Sequence, residues 1–138
     1  MDKINTEYLQ KCLDTLKRSY VLIQTVSDGS IEYEMYRNAL VKGFEMTLEQ
    51  SGKLLKKKLL PFFPSKKSLD MLTFKDIFRS ANKFSLLSSP ETERWMKYRD
   101  NRNNTAHDYG KKFATETLAL VQDFIADAEH LKAVIDRD

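Results

Sequence analysis

The chain has 138 residues, of which 41% are hydrophobic and 31% are charged, and its formal net charge is only +3. This length suits one domain with a real core, so we expect a single domain over residues 1–138. With so small a net charge, the charge of the whole chain does not indicate nucleic-acid binding. Any such interface would need basic side chains clustered at one place on the surface. Gly and Pro are scarce, at 4 and 3 residues, which favours long helices over a turn-rich β architecture.

The single cysteine, Cys12, excludes an intrachain disulfide and suits a reducing cytoplasm. It lies among Leu9, Leu13 and Leu16, so we expect a buried small hydrophobic side chain rather than a reactive thiol. Polar residues near the start argue against a secretory leader, and no apolar run approaches the roughly 20 residues of a membrane span. The sequence therefore predicts a cytoplasmic protein without a membrane partner. Two widely separated histidines and one cysteine do not make a metal site.

Two long helices are predicted in the first half of the chain. Apolar residues at helical spacing extend over residues 5–27 and again over 31–60, and Gly29 marks the turn between them. Pro61 ends the second helix, because proline cannot continue the backbone hydrogen bonding. Residues 65–72 then form a polar connection.

In the second half of the chain, the sequence predicts one short helix followed by two long helices. The short helix covers residues 74–87, and a fourth helix runs from Pro90 toward His107 with Trp95 as its main apolar anchor. Apolar residues that alternate at intervals of four and three predict a last helix over 113–135. Four long helices, one short helix and tight connections predict an all-α fold, an antiparallel up-and-down helix bundle.

The most polar stretch of the chain lies near the end of the fourth helix, at residues 97–110. Ala106 is its only small apolar residue. At about 100° per residue, Ala106 falls on one helical ridge with Arg99, Arg102 and Tyr109. If that ridge faces inward, it lines a hydrated, charged cleft, and this cleft is the candidate site. If the stretch is a disordered loop, no chemistry follows from it.

Asn103 and His107 form a neighbouring ridge with Asp100. Asn103 lies four residues before His107, which is hydrogen-bonding range on a helix surface. Arg102 and His107 are five residues apart, and about 140° of helix rotation separates them. The long arginine side chain, or a second subunit, would have to bring the two groups together around a shared anion.

Residues 102–109 fit the pattern R-x4-H-x-Y and thereby resemble the HEPN superfamily, in particular its HepT-type toxin and nucleotidyltransferase substrate-binding branch. The second helix also resembles this branch, whose Phe-Glu-x-Thr-x-Glu signature is matched by Phe44, Glu45, Thr47 and Glu49. Ser51 and Gly52 stand where the branch usually has a small residue and Trp. The resemblance covers nearly the whole chain, and it implies a homodimer of helical bundles.

The resemblance implies the toxin of a HEPN/MNT toxin–antitoxin pair, an endoribonuclease that cleaves RNA without a metal ion. RNA carries its own nucleophile, the ribose 2′-OH, so the protein needs a proton carrier and a cation. His107 titrates near neutrality and suits general acid–base catalysis. Arg102 binds phosphate bidentately, and Asn103 could orient either the imidazole or the phosphate. Four further basic side chains would hold the RNA backbone without sequence preference, namely Arg99, Lys97, Lys111 and Lys112.

The resemblance also implies a protein partner, a small nucleotidyltransferase of the MNT type. That partner uses ATP and Mg²⁺ to attach AMP to the tyrosine of the motif, which is Tyr109 here, so the chain itself requires no cofactor. Tyr109 shares a ridge with Arg102, so an anionic group on its hydroxyl would lie over the arginine and block an RNA phosphate.

Three carboxylates are predicted to support the cleft by orienting its arginine or histidine, namely Glu45, Glu49 and Asp100. For the two glutamates the alternative is a solvated helix face. Two alternatives remain for the whole site. The chain could be a non-catalytic substrate-binding subunit of a minimal nucleotidyltransferase, or the motif residues could form only a buried polar network that fixes the bundle.

Overall fold

The structure, a computed structural model, describes residues 3–105 and 111–137, and it describes the side chains of residues 3–102 and 116–137. These residues form helices and connections without any strand, which confirms the all-α prediction. A single 3-10 turn, Leu60–Phe62, follows the second helix. The helices are α1 (Glu7–Ile23), α2 (Ile31–Leu59), α3 (Lys66–Asp70), α4 (Phe74–Lys83), α5 (Ser89–Thr105) and α6 (Lys111–Asp136).

The extra helix, α3, lies in the segment that the sequence predicted to be a polar connection. Its five residues begin after Ser65, whose side-chain oxygen accepts a hydrogen bond from the backbone N–H of Ser68. A serine cap of this kind satisfies an otherwise unpaired donor at the start of a helix. Leu69 is buried, so this short turn also covers the core.

Two helices end earlier than predicted, and side-chain or backbone geometry gives the reason. After α1, the hydroxyl of Thr25 donates to the carbonyl of Leu22, in competition with further helical bonding. After α4, Ser85 adopts a left-handed φ of 63°, and the N–H of Leu86 donates back to the carbonyl of Ala81. This pattern closes the carboxyl end of a helix, and it stops α4 at Lys83.

The long helix α2 is the centre of the bundle, since it contacts α1, α4, α5 and α6. Its approach to α1 is close at Gly43, where an added Cβ would lie 3.3 Å from the Cα of Leu16. Only a residue without a side chain fits there without displacing the neighbouring backbone. Cys12 is 5% exposed in this layer, and burial raises the pKa of its thiol, as expected for a packed rather than a reactive cysteine.

Aromatic rings join four helices at the middle of the core. The ring of Trp95 lies 4.7 Å from that of Phe78 and 5.6 Å from that of Phe124, measured between centroids. Phe124 in turn lies 4.4 Å from Phe44 and 4.9 Å from Tyr98. Trp95 is completely buried, so it is the apolar anchor of α5 that the sequence predicted. Within the described residues, no helix has the length and apolar character needed to cross a membrane.

Gly52 creates a space on α2 that Phe74 of α4 fills. A Cβ at Gly52 would lie 2.6 Å from Cε2 and 2.8 Å from Cδ2 of the Phe74 ring. The glycine therefore leaves the space on α2 in which the Phe74 ring packs, and this space forms part of the α2–α4 contact.

We expect Gly52→Leu to lower the free energy of unfolding by about 1–3 kcal/mol, because the new side chain must displace the Phe74 ring. In a double-mutant cycle, Phe74→Ala should cost less in the Gly52→Leu background than in the wild type. Urea unfolding followed by circular dichroism measures both effects. Gly29→Leu is the matched control, since no atom lies within 4 Å of a Cβ there. Equal losses for the two glycine variants would contradict this packing account.

Candidate functional site

The inward face of α5 changes from aromatic to polar toward its carboxyl end. Trp95 and Tyr98 are fully buried, whereas the next turn places Asn101 and Arg102 on the inner side, buried and half-buried respectively. Arg102 lies seven residues after Trp95, so the two differ by only about 20° around the helix. The hydroxyl of Thr117 on α6 donates to Oδ1 of Asn101 over 3.3 Å. The inner face of α5 therefore becomes polar at Asn101 and Arg102, before His107 and Tyr109 of the R-x4-H-x-Y motif are reached.

Arg99 is held on the α4 side of the same helix end. The Cζ atom of its guanidinium lies 4.9 Å from the centroid of the Phe74 ring, which is cation–π geometry. Arg99 is half-buried, and about 60° of helix rotation separates it from Arg102. The structure thus places two of the predicted cationic groups at the carboxyl end of α5, and Phe74 positions one of them.

Two other predicted residues of α5 lie on its outer side. Asp100 is exposed and accepts a hydrogen bond from Nζ of Lys75 over 2.6 Å, so its described partner is on α4. Lys97 is exposed and lies about 140° around the helix from Arg102. The structure does not bring these two side chains together with Arg102.

The two signature glutamates of α2 have different surroundings. Glu49 is exposed, and its charge is the smallest contribution to a raised pKa of the Tyr8 hydroxyl on α1, after burial and Cys12. Glu45 is half-buried and lines a groove of about 440 Å³ with Arg37, Asn38, Val41 and Lys42. The other signature residues, Phe44 and Thr47, are buried in the core. Of the two glutamates, Glu45 lines this groove and Glu49 does not.

The side chains of the remaining predicted site residues are not among those that the structure describes. His107 and Tyr109 lie outside the described residues. Asn103, Lys111 and Lys112 belong to α5 and α6 by their backbone, and their side chains lie outside the description. Among residues whose side chains are described, no cluster of histidine, cysteine or carboxylate groups could hold a metal ion.

Sequence reasoning missed an ionic contact between α5 and α6 in which the carboxylate is buried and the arginine is partly exposed. Nε and Nη2 of Arg94 each donate to a carboxylate oxygen of Asp127 over 2.8 Å, and the hydroxyl of Tyr98 donates to Oδ2 of Asp127 over 2.5 Å. Burial, and then this hydrogen bond, raise the pKa of Tyr98 far above its usual range. The available signal was an aspartate directly before Ala128 on the buried seam of α6, where an unpaired carboxylate would be costly.

Nor did the sequence indicate the contact that His130, an exposed residue of α6, makes with α5. Its Nδ1 lies 2.5 Å from Oε2 of Glu91, which joins α6 to the first turn of α5. Glu91 also accepts a hydrogen bond from the hydroxyl of Ser88 over 3.0 Å. The pair belongs to the start of α5, the opposite end from Arg102.

Comparison with known proteins yields one family and several relatives. A family model described as nucleotidyltransferase substrate binding protein like matches residues 4–137. A Haemophilus influenzae protein called probable ribonuclease HepT is 28% identical over 134 residues, which cover 94% of this chain and 90% of that protein.

Solved structures have the same fold. A Haemophilus influenzae structure, described as the fold of a substrate binding domain of a nucleotidyltransferase, has a TM-score of 0.83 and 25% identity, with 96% of this chain and 100% of that chain covered. The structure of a Thermus thermophilus protein has a TM-score of 0.73 and 26% identity, and the match covers 94% of this chain and 99% of that chain. A toxin–antitoxin structure with AMP-PNP, at 17% identity, has a TM-score of 0.63 and shares the fold, with 98% and 99% covered.

We expect Tyr98 to remain protonated while the protein stays folded above pH 10.0, the ordinary pKa of tyrosine. A raised folded-state pKa means that the Tyr98–Asp127 hydrogen bond stabilises fully below about pH 10 and is lost as the pH rises further. Absorbance titration of tyrosinate should therefore give the same native curve for the wild type and for Tyr98→Phe. The Tyr98→Phe protein should lose about 1–2 kcal/mol of stability at neutral pH. If native Tyr98→Phe lacked a tyrosinate absorbance step near pH 10 that the native wild type shows, Tyr98 would titrate normally, and its raised pKa would be wrong.

Proposed function

The chain belongs to the nucleotidyltransferase substrate binding protein-like family, and from this we propose that it is the toxin of a HEPN/MNT toxin–antitoxin pair, acting as a metal-independent endoribonuclease. The Haemophilus influenzae relative called probable ribonuclease HepT supports the activity, since 94% of this chain aligns with it. The observation that carries the proposal is the change on the inner face of α5 from buried rings to Asn101 and Arg102. That change occurs at the first residue of the R-x4-H-x-Y motif.

In the proposed reaction, the 2′-OH of a ribose attacks the adjacent phosphorus, and the bond to the 5′-oxygen of the next nucleotide breaks. His107 transfers protons, from the attacking hydroxyl or to the leaving oxygen. Arg102 binds the non-bridging phosphate oxygens and stabilises the charge that develops on them. Asn103 orients the imidazole or the phosphate, and Arg99, Lys97, Lys111 and Lys112 bind the flanking backbone.

A homodimer is part of this proposal, because Arg102 and His107 are about 140° apart if the helix continues through the motif. A second copy of the chain would then supply the complementary group across a shared cleft. RNA is the substrate and an MNT-type nucleotidyltransferase is the partner, and we place both in the cytoplasm.

We expect expression of the wild-type chain to arrest growth and the purified protein to cleave RNA in the presence of a metal chelator. His107→Ala should abolish the arrest and reduce cleavage by about 10²–10⁴-fold, the usual contribution of a general acid or base. His130→Ala is the matched control, because it removes the other histidine, which pairs with Glu91 far from the motif. Circular dichroism checks that both variants fold.

Toxicity and cleavage that persist in folded His107→Ala would reject the catalytic assignment. A wild-type protein that neither arrests growth nor cleaves RNA, yet forms a complex with a nucleotidyltransferase, would support the second candidate, a non-catalytic substrate-binding subunit. The Haemophilus influenzae structure described as a substrate binding domain of a nucleotidyltransferase favours that candidate. Both candidates predict the same partner, so RNA cleavage separates them.

We further expect the partner transferase, with ATP and Mg²⁺, to add AMP to Tyr109 and to silence the toxin. Intact-mass spectrometry should show mass increases in multiples of one AMP group, and Tyr109→Phe should remain unmodified and toxic in the presence of the partner. Tyr8→Phe is the matched control, because Tyr8 is 49% exposed and lies on α1. Modification that is retained in Tyr109→Phe would contradict the assignment of the acceptor.

A further inference from the structure

The amino-terminal half of α2 has one side that is open to solvent. On the carboxyl-terminal half of the helix the same side is occupied, since Phe74 packs against Gly52 and Lys56 pairs with Asp70. Side chains on the open side follow one another at intervals of four, three, four and three residues, and they lie within about 80° around the helix. They are exposed or half-buried, namely Ile31, Met35, Asn38, Lys42 and Glu45.

This open side combines projecting apolar side chains with a concave surface. Ile31 is 72% exposed and Met35 is 61% exposed, one helical turn apart. The groove of about 440 Å³ begins in the next turn, and Val41, which is 4% exposed, gives it apolar surface. Large apolar side chains, methionine among them, are typical of protein–protein contacts. A partner for this side would therefore offer a groove to Met35 and an apolar side chain to Val41.

A second copy of the chain meets both requirements. Met35 and Val41 lie three residues to either side of Asn38 along α2. If two copies of α2 pack antiparallel with the two-fold axis at Asn38, Met35 of each copy comes level with Val41 of the other. Each groove then receives the projecting methionine of the opposite copy. An interface of this kind is self-complementary, as two-fold symmetry demands.

The charges on this side obey the same symmetry. Glu34 and Lys42 lie four residues to either side of Asn38, and both are exposed. Within residues 3–102 and 116–137, neither forms an ion pair. Around the proposed axis, Glu34 of each copy comes level with Lys42 of the other, so opposite charges meet twice. Complementary charges of this kind specify the register of an interface.

The directions of the helices relate this surface to the motif. The Phe44 ring of α2 lies 4.4 Å from the Phe124 ring of α6, and Nζ of Lys58 donates to the carbonyl of Ile135 over 3.2 Å. Both contacts join residues about 80 positions apart. The two helices therefore run in the same direction, with a nearly constant offset.

By this offset, Thr117 of α6 is level with the turn of α2 around Asn38. Thr117 donates its hydroxyl hydrogen bond to Asn101 of α5, next to Arg102. The carboxyl end of α5 thus lies level with the middle of the open side. A two-fold axis at Asn38 would bring the motif-bearing ends of two α5 helices to the same level of the dimer.

We propose that the open side of α2 is the homodimer interface, in which two copies pack antiparallel about a two-fold axis at Asn38. The inference rests on the proposed function, since it names the surface of the homodimer assumed there. It also gives that dimer a reason, because the interface sets the two motifs at one level, as a cleft shared by Arg102 and by His107 of the other copy requires.

The test is a charge reversal followed by sedimentation equilibrium, with the wild type expected to be a dimer. By symmetry, Glu34→Lys alone or Lys42→Glu alone creates two like-charge contacts, so each should raise the dimer Kd by about tenfold or more. The double variant Glu34→Lys/Lys42→Glu should restore the wild-type Kd. Glu32→Lys is the matched control, because it makes the same change in the first turn of α2, about 160° around the helix from Glu34.

A monomeric wild type would overturn the proposal, and so would single variants that dimerise like Glu32→Lys or a double variant without restored affinity. If circular dichroism shows that a charge variant does not fold, Asn38→Cys replaces it. Under oxidising conditions Asn38→Cys should form a disulfide-linked dimer, whereas Lys11→Cys, an exposed site on α1, should not. Equal cross-linking of the two variants would likewise overturn the interface.

Failure here is distinct from failure of the proposed ribonuclease. A wild-type monomer that cleaves RNA would overturn this interface and leave the activity in place. A dimer that passes the charge-reversal test and does not cleave RNA would support the interface and reject the ribonuclease.

Discussion

The contact of Asp127 with Arg94 and Tyr98 determines where the candidate site lies. A buried carboxylate must be paired, and this one receives three hydrogen bonds from two residues of α5. Those bonds fix both the rotation and the longitudinal position of α5 against α6. In the next turn of α5, Asn101 accepts a hydrogen bond from Thr117 of α6, and the neighbouring Arg102 is half-buried. Loss of this ionic contact would release the helix end that carries the motif.

This contact also bears on the interpretation of the motif as a purely structural polar network. The bundle has a structural network of this kind, and it uses Arg94, Tyr98 and Asp127, upstream of the motif. The position of Arg102 beside Arg99, whose guanidinium lies on the Phe74 ring, suits a role toward an anionic ligand.

Much of the fold could be predicted from sequence because long apolar stripes specify long helices, as the buried Trp95 and Cys12 illustrate. Helix ends were harder, since the cap at Ser65 and the left-handed Ser85 depend on local hydrogen bonds rather than on periodicity. The sequence assigned the candidate site to α5 and its motif, and that assignment stays a prediction. The partners of its side chains were not predicted, because Lys75–Asp100 and Phe74–Arg99 join residues from different helices. Pairings of that kind require the tertiary arrangement.

The glycine at position 52 has a consequence on another helix. The Phe74 ring occupies the space beside it, and the same ring supports the guanidinium of Arg99. In this chain, a large side chain at position 52 would take the space of the Phe74 ring and so remove the surface on which the Arg99 guanidinium lies. The absence of a side chain on α2 is thereby linked, through one ring, to the placement of a cation on α5.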